Sequence, residues 1–269
     1  MSTAERQAPP PAAGKGSEDV PALELRSIGL AYGGLMALSS VHARIDRGQI
    51  TGLIGPNGAG KTSLFDVVTG LTKPSSGRVL LHGRDVTRAW PATRARLGLG
   101  RTFQRLELFS SLTVRENVAV AAEASHPNRL HPRRWGLFES DAAAAVDAQL
   151  ERLGLTEFGS ERVDTLSTGT ARLVEVARAM ASQPSVLLLD EPASGLGGDE
   201  TDRLAHVLLG LALDGMAVLL VEHDVELVMR LCSSLIVLDQ GSVLATGAPE
   251  TVRRQPEVRD AYLGQMAIS

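Results

Sequence analysis

Apolar and polar positions divide the chain into segments of two different periods. Val41, Ala43 and Ile45 alternate with His42, Arg44 and Asp46, the period of two that a half-buried strand requires. After the turn residues Asp46-Arg47-Gly48, the run from Gln49 to Ile54 is almost continuously apolar, as in a strand buried on both faces. A glycine-rich loop separates it from a helix with apolar positions Leu64, Val67, Val68 and Leu71, and Gly70 suits that helix's C-terminal end. Val79 to Arg84 predicts another short strand. Thr113 with Glu116 makes a capping box that opens a helix over about 113–124. Residues 125–139, with two histidines beside prolines and Arg133-Arg134-Trp135, predict a loop or insertion. Ser140 then caps a helix to about Leu153, closed by Gly154.

Farther along, a helix is expected over about Thr170 to Ser182, and Val186 to Leu189 is a buried strand. Leu204, Val207, Leu208 and Leu211 mark one helical face, ended by Gly215, before a buried strand at Ala217 to Val221. A short helix, a strand at Leu235 to Leu238, a hairpin at Asp239-Gln240-Gly241 and two terminal helices follow. Buried strands separated by helices indicate an α/β fold with a mostly parallel sheet. The early alternating strands predict a small antiparallel β-subdomain, and the strand-poor run from about 105 to 182 predicts a helical subdomain. Residues 1–21, rich in Pro, Ala, Gly and charge, read as a disordered tail, which leaves about 22–265 as one folded domain.

Composition narrows the function. Lys+Arg is 27 and Asp+Glu is 31, a net charge of −4, which argues against a protein built to hold nucleic-acid backbones. The one cysteine, Cys232, excludes an intrachain disulfide and a cysteine metal cluster, and fits a reducing compartment. The longest aliphatic runs fall far short of the ~20 residues that span a bilayer, and the N-terminus has no apolar signal core. The chain is therefore expected to be cytoplasmic, with any membrane role exercised through a partner.

Gly55-Pro56-Asn57-Gly58-Ala59-Gly60-Lys61-Thr62-Ser63 contains G-x-x-x-x-G-K-S/T between an expected strand and an expected helix, the context this phosphate-binding motif needs. The glycines let backbone N–H groups curl around phosphates, and the helix N-terminus adds positive potential. Lys61 would reach the β and γ phosphates, and the Thr62 hydroxyl would ligate Mg²⁺. Lysine occurs only three times in the chain, so a chance match is rare. Neither Lys15 nor Lys73 supplies an N-K-x-D-like guanine motif, so guanine selectivity is not expected.

Val186-Leu187-Leu188-Leu189-Asp190-Glu191 is an apolar strand ending in two carboxylates, and parallel sheets place ligands at such ends. Asp190 would hold Mg²⁺, and Glu191 would act as general base toward water. Adjacent residues on an extended strand point to opposite sides, which is expected to give the two carboxylates different roles. Taken alone, either acid could equally be a helix cap.

Leu166-Ser167-Thr168-Gly169-Thr170, between the loop and the acidic strand, is similar to the signature motif of ATP-binding cassette (ABC) ATPases, usually LSGGQ. Tyr32 resembles that family's aromatic adenine-stacking residue, Gln104 its Q-loop glutamine and His223 its H-loop histidine, all in the family's order. Leu30-Ala31-Tyr32-Gly33-Gly34, Arg101-Thr102-Phe103-Gln104, Val221-Glu222-His223-Asp224 and Ala261-Tyr262-Leu263-Gly264 resemble the ATP-binding subunits of branched-chain amino acid importers. The stretch from about 121 to 140 falls where that subgroup carries an insertion. The resemblance covers roughly residues 23–264 and implies a P-loop NTPase (RecA-like) core. It also implies that Gln104 contacts Mg²⁺-bound water, and that His223 bonds the γ-phosphate and holds the attacking water. Ser167 and Gly169 would meet the γ-phosphate of ATP held by a second subunit. Each position also has a plainer reading: a sheet tyrosine at Tyr32, a solvated glutamine at Gln104, a structural histidine at His223 and a simple helix cap at Ser167.

The resemblance implies ATP and Mg²⁺ as cofactors and a second ATP-binding subunit, identical or related. It further implies transmembrane permease subunits docked on the helical subdomain, which would keep the chain peripheral on the inner face of the cell membrane. A substrate-binding protein would be an indirect partner, and no nucleic acid is implied. Three positions depart from the family. Thr168 and Thr170 replace Gly and Gln of the signature, with Thr168 expected to crowd the nucleotide, and Gly197 stands where the D-loop commonly has Asp. The alternatives are the ATPase of a lipid or lipopolysaccharide exporter and a non-transport ABC ATPase. The paired cassettes, coiled coils or basic extensions typical of the latter are not seen.

Overall fold

The computed structural model describes residues 20–102, 107–125 and 135–263. Its strands are β1 (Leu23–Tyr32), β2 (Leu35–Ile45), β3 (Ile50–Ile54), β4 (Ser76–Leu81), β5 (Arg84–Asp85), β6 (Leu99–Arg101), β7 (Val186–Asp190), β8 (Ala217–Val221), β9 (Ser234–Asp239) and β10 (Ser242–Gly247). The helices are α1 (Lys61–Thr69), α2 (Pro91–Arg96), α3 (Val114–Ser125), α4 (Trp135–Arg152), α5 (Thr168–Met180), α6 (Gly198–Leu213), α7 (Val225–Leu231), α8 (Pro249–Val252) and α9 (Pro256–Val258).

β3, β7 and β8 are buried at every residue, and apolar apart from Thr51 and Asp190, because both of their faces are covered. Val186 and Leu188 of β7 join one buried cluster with Ala217, Leu219, Val221 and the apolar face of α1. Leu187 and Leu189 join the other, with Val218, Leu220 and residues of α3 to α7. The six-stranded sheet runs β10-β9-β3-β8-β7-β6. All its pairs are parallel except the antiparallel β9–β10 hairpin. A second, four-stranded sheet, β2-β1-β4-β5, is antiparallel and packs its apolar face into the cluster that holds α1. The expected α/β fold, with a mostly parallel core, an antiparallel sheet and a strand-poor helical region, is present.

Several boundaries differ from the sequence reading. Leu71 is not part of the first helix: α1 ends at Thr69, Gly70 takes a left-handed conformation (φ 82) as its C-cap, and Leu71 beyond it is exposed. The strand expected over Val79 to Arg84 breaks at His82-Gly83 into the β4–β5 hairpin. The helix expected from Ser140 begins earlier, at Trp135, so Ser140 is interior rather than a cap. The helix expected from Thr170 begins at Thr168. β1, α2 and β6 were not read, because β1 mixes periods at its bulges and the other two are too short to show one. The Thr113–Glu116 capping box is present, with the Thr113 hydroxyl accepting from the Glu116 N–H at 3.2 Å and the Glu116 carboxylate from the Thr113 N–H at 2.8 Å. The proposed tail up to residue 19 and most of the proposed insertion, residues 126–134, lie outside the described residues.

One buried cation fixes the end of α1. Arg94 is 1% exposed, and its guanidinium donates to the carbonyls of Val67 and Val68 at 2.6 Å each, Thr87 at 2.9 Å and Ala89 at 3.2 Å. These include the C-terminal carbonyls that a helix cannot satisfy internally. A Cβ on Gly70 would sit 2.8 Å from Arg94 Nε, so the glycine makes room for the cap. Burial pulls the Arg94 pKa down to about 10, still well above neutral. Arg94→Met is expected to leave these carbonyls without a donor and to cost ~3–5 kcal/mol. The check is a lower urea midpoint at unchanged m-value.

Candidate active site

The site is assembled from the C-terminal ends of parallel neighbours. β3 ends at Ile54 and runs into the phosphate loop, β7 ends at Asp190, and β8 ends one residue before Glu222. Because β3, β8 and β7 are adjacent and run the same way, these ends share one edge of the sheet.

The loop Gly55–Gly60 turns through left-handed conformations at Gly55 (φ 152), Gly58 (φ 81) and Gly60 (φ 104). A side chain at Gly55 would place Cβ 2.0 Å from the Leu238 carbonyl, so the turn tolerates no Cβ there. The β9–β10 hairpin pins the loop from outside, with the Gly241 N–H donating to the Ala59 carbonyl at 3.0 Å, and within the loop Ala59 N–H donates to Pro56 O at 3.1 Å. Asn57 and Gly58 are exposed at the tip. Lys61, Thr62 and Ser63 form the first turn of α1, where backbone N–H groups have no intrahelical acceptor and favour an anion. Lys61 is buried and folds back over the loop, Nζ donating to Gly55 O at 2.5 Å and Pro56 O at 3.1 Å. Burial lowers its pKa, opposed by the nearby charges of Glu191 and Asp190.

Asp190 is 6% exposed, and burial raises its carboxyl above the usual range while Arg101 opposes the shift. Arg101 bridges the strand to α1: Nη1 meets Asp66 at 2.8 Å, Nη2 lies 3.7 Å from Asp190 Oδ2, and the guanidinium stacks over Phe65 at 5.6 Å. The Asp190 N–H donates to the Thr102 hydroxyl at 3.3 Å, fixing the chain that leads toward Gln104. Gln104 itself lies outside the described residues.

Glu191 does not continue β7. Its φ of 51 is left-handed, so the expectation that Asp190 and Glu191 alternate along one strand is corrected. The turn is held by the Glu191 N–H donating to Val221 O at 2.9 Å. It brings the Glu191 carboxylate (Oε1) to 2.8 Å from His223 Nε2. A non-glycine residue in this region stores strain, and such strain is concentrated at functional sites.

The signature segment starts α5. Ser167 is the N-cap, its Oγ accepting from the Thr170 N–H at 3.1 Å. The hydroxyl donates to Glu200 Oε1 at 3.1 Å, while Glu200 Oε2 accepts from the Gly197 N–H at 3.0 Å. A Cβ on Gly169 would lie 2.0–2.2 Å from the Glu200 carboxylate, so that glycine admits the acid. Thr168 directs its methyl toward Gly195, 3.4 Å from where a Cβ on that glycine would lie. Tyr32 ends β1 half-exposed beside the Gly33-Gly34 turn, rather than buried in the sheet.

The structure thus brings together the phosphate loop, Lys61, Asp190, Glu191 and His223, whereas the polar partners of Ser167 lie on α5 and α6. In the sequence Arg101 and Thr102 stand out only as part of a family motif, and no motif singles out Glu200. Their partners are distant in sequence, and only the Gly197–Glu200 spacing, that of a helix N-cap and its third residue, gave a local signal.

The chain is similar to known proteins in both sequence and fold. Residues 38–194 match the ABC transporter family model, and residues 242–267 match the model for the branched-chain amino acid ATP-binding cassette transporter. The chain is 38% identical over 254 residues to the high-affinity branched-chain amino acid transport ATP-binding protein BraF of Pseudomonas aeruginosa, covering 91% of this chain and 98% of the relative. It is 38% identical over 251 residues to the corresponding protein LivG of Escherichia coli K12, again covering 91% and 98%. Among solved structures, a nucleotide-free ATP-binding cassette from an ABC transporter superposes with a TM-score of 0.79 at 29% identity, covering 89% of this chain and 98% of that one. Fold, site order and near full-length similarity together make this chain a member of the ABC transporter ATPase family.

Proposed function

We propose that this chain is the ATP-hydrolysing subunit of an importer for branched-chain amino acids or related amides, working with membrane permease subunits. The observation that carries the reading is the Glu191–His223 contact of 2.8 Å at the same sheet edge as the phosphate loop. The near full-length similarity to BraF and LivG supports the transport role. The C-terminal match at residues 242–267 supports an importer over a lipid exporter. Among the described residues no helix is long and apolar enough to cross a membrane, so attachment to the inner face would run through the permease.

In this reading the loop N–H groups and Lys61 hold the β and γ phosphates, and Tyr32 stacks on adenine. Lys61 would exchange the Gly55 and Pro56 carbonyls for phosphate oxygens. Thr62, Asp190 and Gln104 would hold Mg²⁺, which when bound neutralises phosphate charge. The donor set fits that ion. Thr62 in the first turn of α1 and Asp190 at the end of β7 offer oxygen donors, and Mg²⁺ is commonly held by one or two carboxylates plus substrate phosphates. Glu191 accepts a proton from water at its carboxylate, and His223 orients that carboxylate. Water oxygen bonds to the γ-phosphorus as the bond to the leaving oxygen breaks.

One chain has one phosphate loop and one signature, so two chains complete two sites. Ser167 and Gly169 of each would face the nucleotide of the other. Glu200 now lies against that helix start, so an incoming γ-phosphate would have to meet or displace its carboxylate.

Glu191→Gln is expected to keep ATP affinity and accumulate an ATP-bound dimer, while turnover falls at least ~100-fold. Normal hydrolysis by this variant would remove Glu191 as the base. Lys61→Ala is expected to weaken ATP binding by more than about tenfold, measured by equilibrium titration. After co-purification with its permease partners and reconstitution with their binding protein, leucine, isoleucine or valine should stimulate hydrolysis. A complex stimulated only by an unrelated solute, or by lipid, would refute the substrate class.

A further inference from the structure

Glu222 immediately precedes His223 and is 4% exposed, the most deeply buried acid at this edge of the sheet. Its two oxygens are shared between the two loops that carry the hydrolytic pair. Oε1 accepts from the Ala193 N–H at 2.7 Å, two residues beyond Glu191. Oε2 accepts from the His223 N–H at 3.2 Å. With the 2.8 Å contact between Glu191 and His223, these bonds close a ring through Glu191, Pro192, Ala193, Glu222 and His223.

The ring addresses a specific problem. Glu191 sits at φ 51, a conformation that costs a non-glycine residue on the order of 1–3 kcal/mol and persists only where neighbours over-determine it. Upstream, its N–H is fastened to β8 through the Val221 carbonyl, and downstream the Ser194 N–H closes the turn onto the Glu191 carbonyl at 3.1 Å. The Glu222–Ala193 bond ties the outgoing arm of that turn to the loop bearing His223. An apolar side chain would fill the same space without the cost of burying a carboxylate. It could not accept from both loops. Burial raises the Glu222 carboxyl above the usual range, and the two N–H bonds oppose that shift.

We propose that Glu222 is a positioning residue for ATP hydrolysis, its buried carboxylate clamping the loop after β7 to the loop after β8 and thereby setting how Glu191 meets His223. The proposal rests on the assignment of Glu191 and His223 as the hydrolytic pair. It differs from a purely structural role in what each variant should change.

Steady-state kinetics, ATP affinity and melting temperature are compared for wild type, Glu222→Gln, Glu222→Asp, Glu191→Gln and the double variant Glu191→Gln/Glu222→Gln. Glu222→Gln keeps one acceptor and turns an amide N–H₂ toward the other N–H. It should lower kcat roughly 10- to 100-fold while KM and ATP affinity stay within about twofold. Glu222→Asp, with both acceptors on a shorter stem, should recover part of that loss. In the Glu191→Gln background, Glu222→Gln should bring no further loss, since the two act as a unit. A Glu222→Gln protein with a lower melting temperature but wild-type kcat overturns the proposal, as does full additivity in the double variant. If Glu222→Gln does not fold, Glu222→Asp carries the same kcat-against-KM test. Loss in Glu191→Gln without loss in the Glu222 variants overturns the positioning role alone. Wild-type turnover by Glu191→Gln overturns the hydrolytic assignment and the positioning role with it.

Discussion

The shared direction of β3, β8 and β7 is the constraint on which the rest depends. Each strand delivers its next residues to the same sheet edge, so three segments far apart in sequence meet there: Gly55–Lys61, Asp190–Glu191 and Glu222–His223. Reversing β8 would carry His223 to the opposite edge and leave Glu191 without its partner. Parallel neighbours require crossover connections, and the helices that supply them cover both faces. That cover is why β3, β7 and β8 are buried at every position and almost wholly apolar.

Burial gives this edge its electrostatic character. Lys61, Asp190 and Glu222 are all withdrawn from water, and in each case desolvation disfavours the charged form. The protein offsets the cost with short-range partners: loop carbonyls for Lys61, Arg101 for Asp190, and two backbone N–H groups for Glu222. In the proposed reading, a phosphate would replace the carbonyls around Lys61, whereas Arg101 and the Glu222 bonds join elements of the scaffold. In that reading the site combines one exchangeable arrangement with a rigid surround, as preorganised phosphoryl transfer requires.

The helical half follows a different logic. The signature segment is a helix start stabilised by its own serine cap and by an acid from α6. Glu200 also accepts from Gly197, where the family commonly has Asp, so a carboxylate reaches the start of α6 from inside the helix instead of from its cap position. Thr168, a departure from the usual glycine, turns its methyl toward Gly195 within the same chain. Gly197 and Thr168 thus each have partners inside the protomer.

Local pattern was enough for the core strands, the Thr113 capping box, the Gly70 helix end and the phosphate loop, because each is set by residues within a few positions of one another. Leu71 misled because helical spacing continues past a glycine that the backbone uses to stop. β1, α2 and β6 escaped because bulges and short length erase periodicity. Motif order also singled out Lys61, Asp190, Glu191 and His223, which the fold brings to one sheet edge. Sequence by itself could not show that Glu191 leaves the strand in a left-handed turn, or that Glu222 ties Ala193 to His223. Nor could it show that Arg101 joins α1 to Asp190. Such contacts arise only when parallel strand ends meet at one edge, since the side chain that satisfies each group comes from a segment tens of residues away and carries no local signature of its partner.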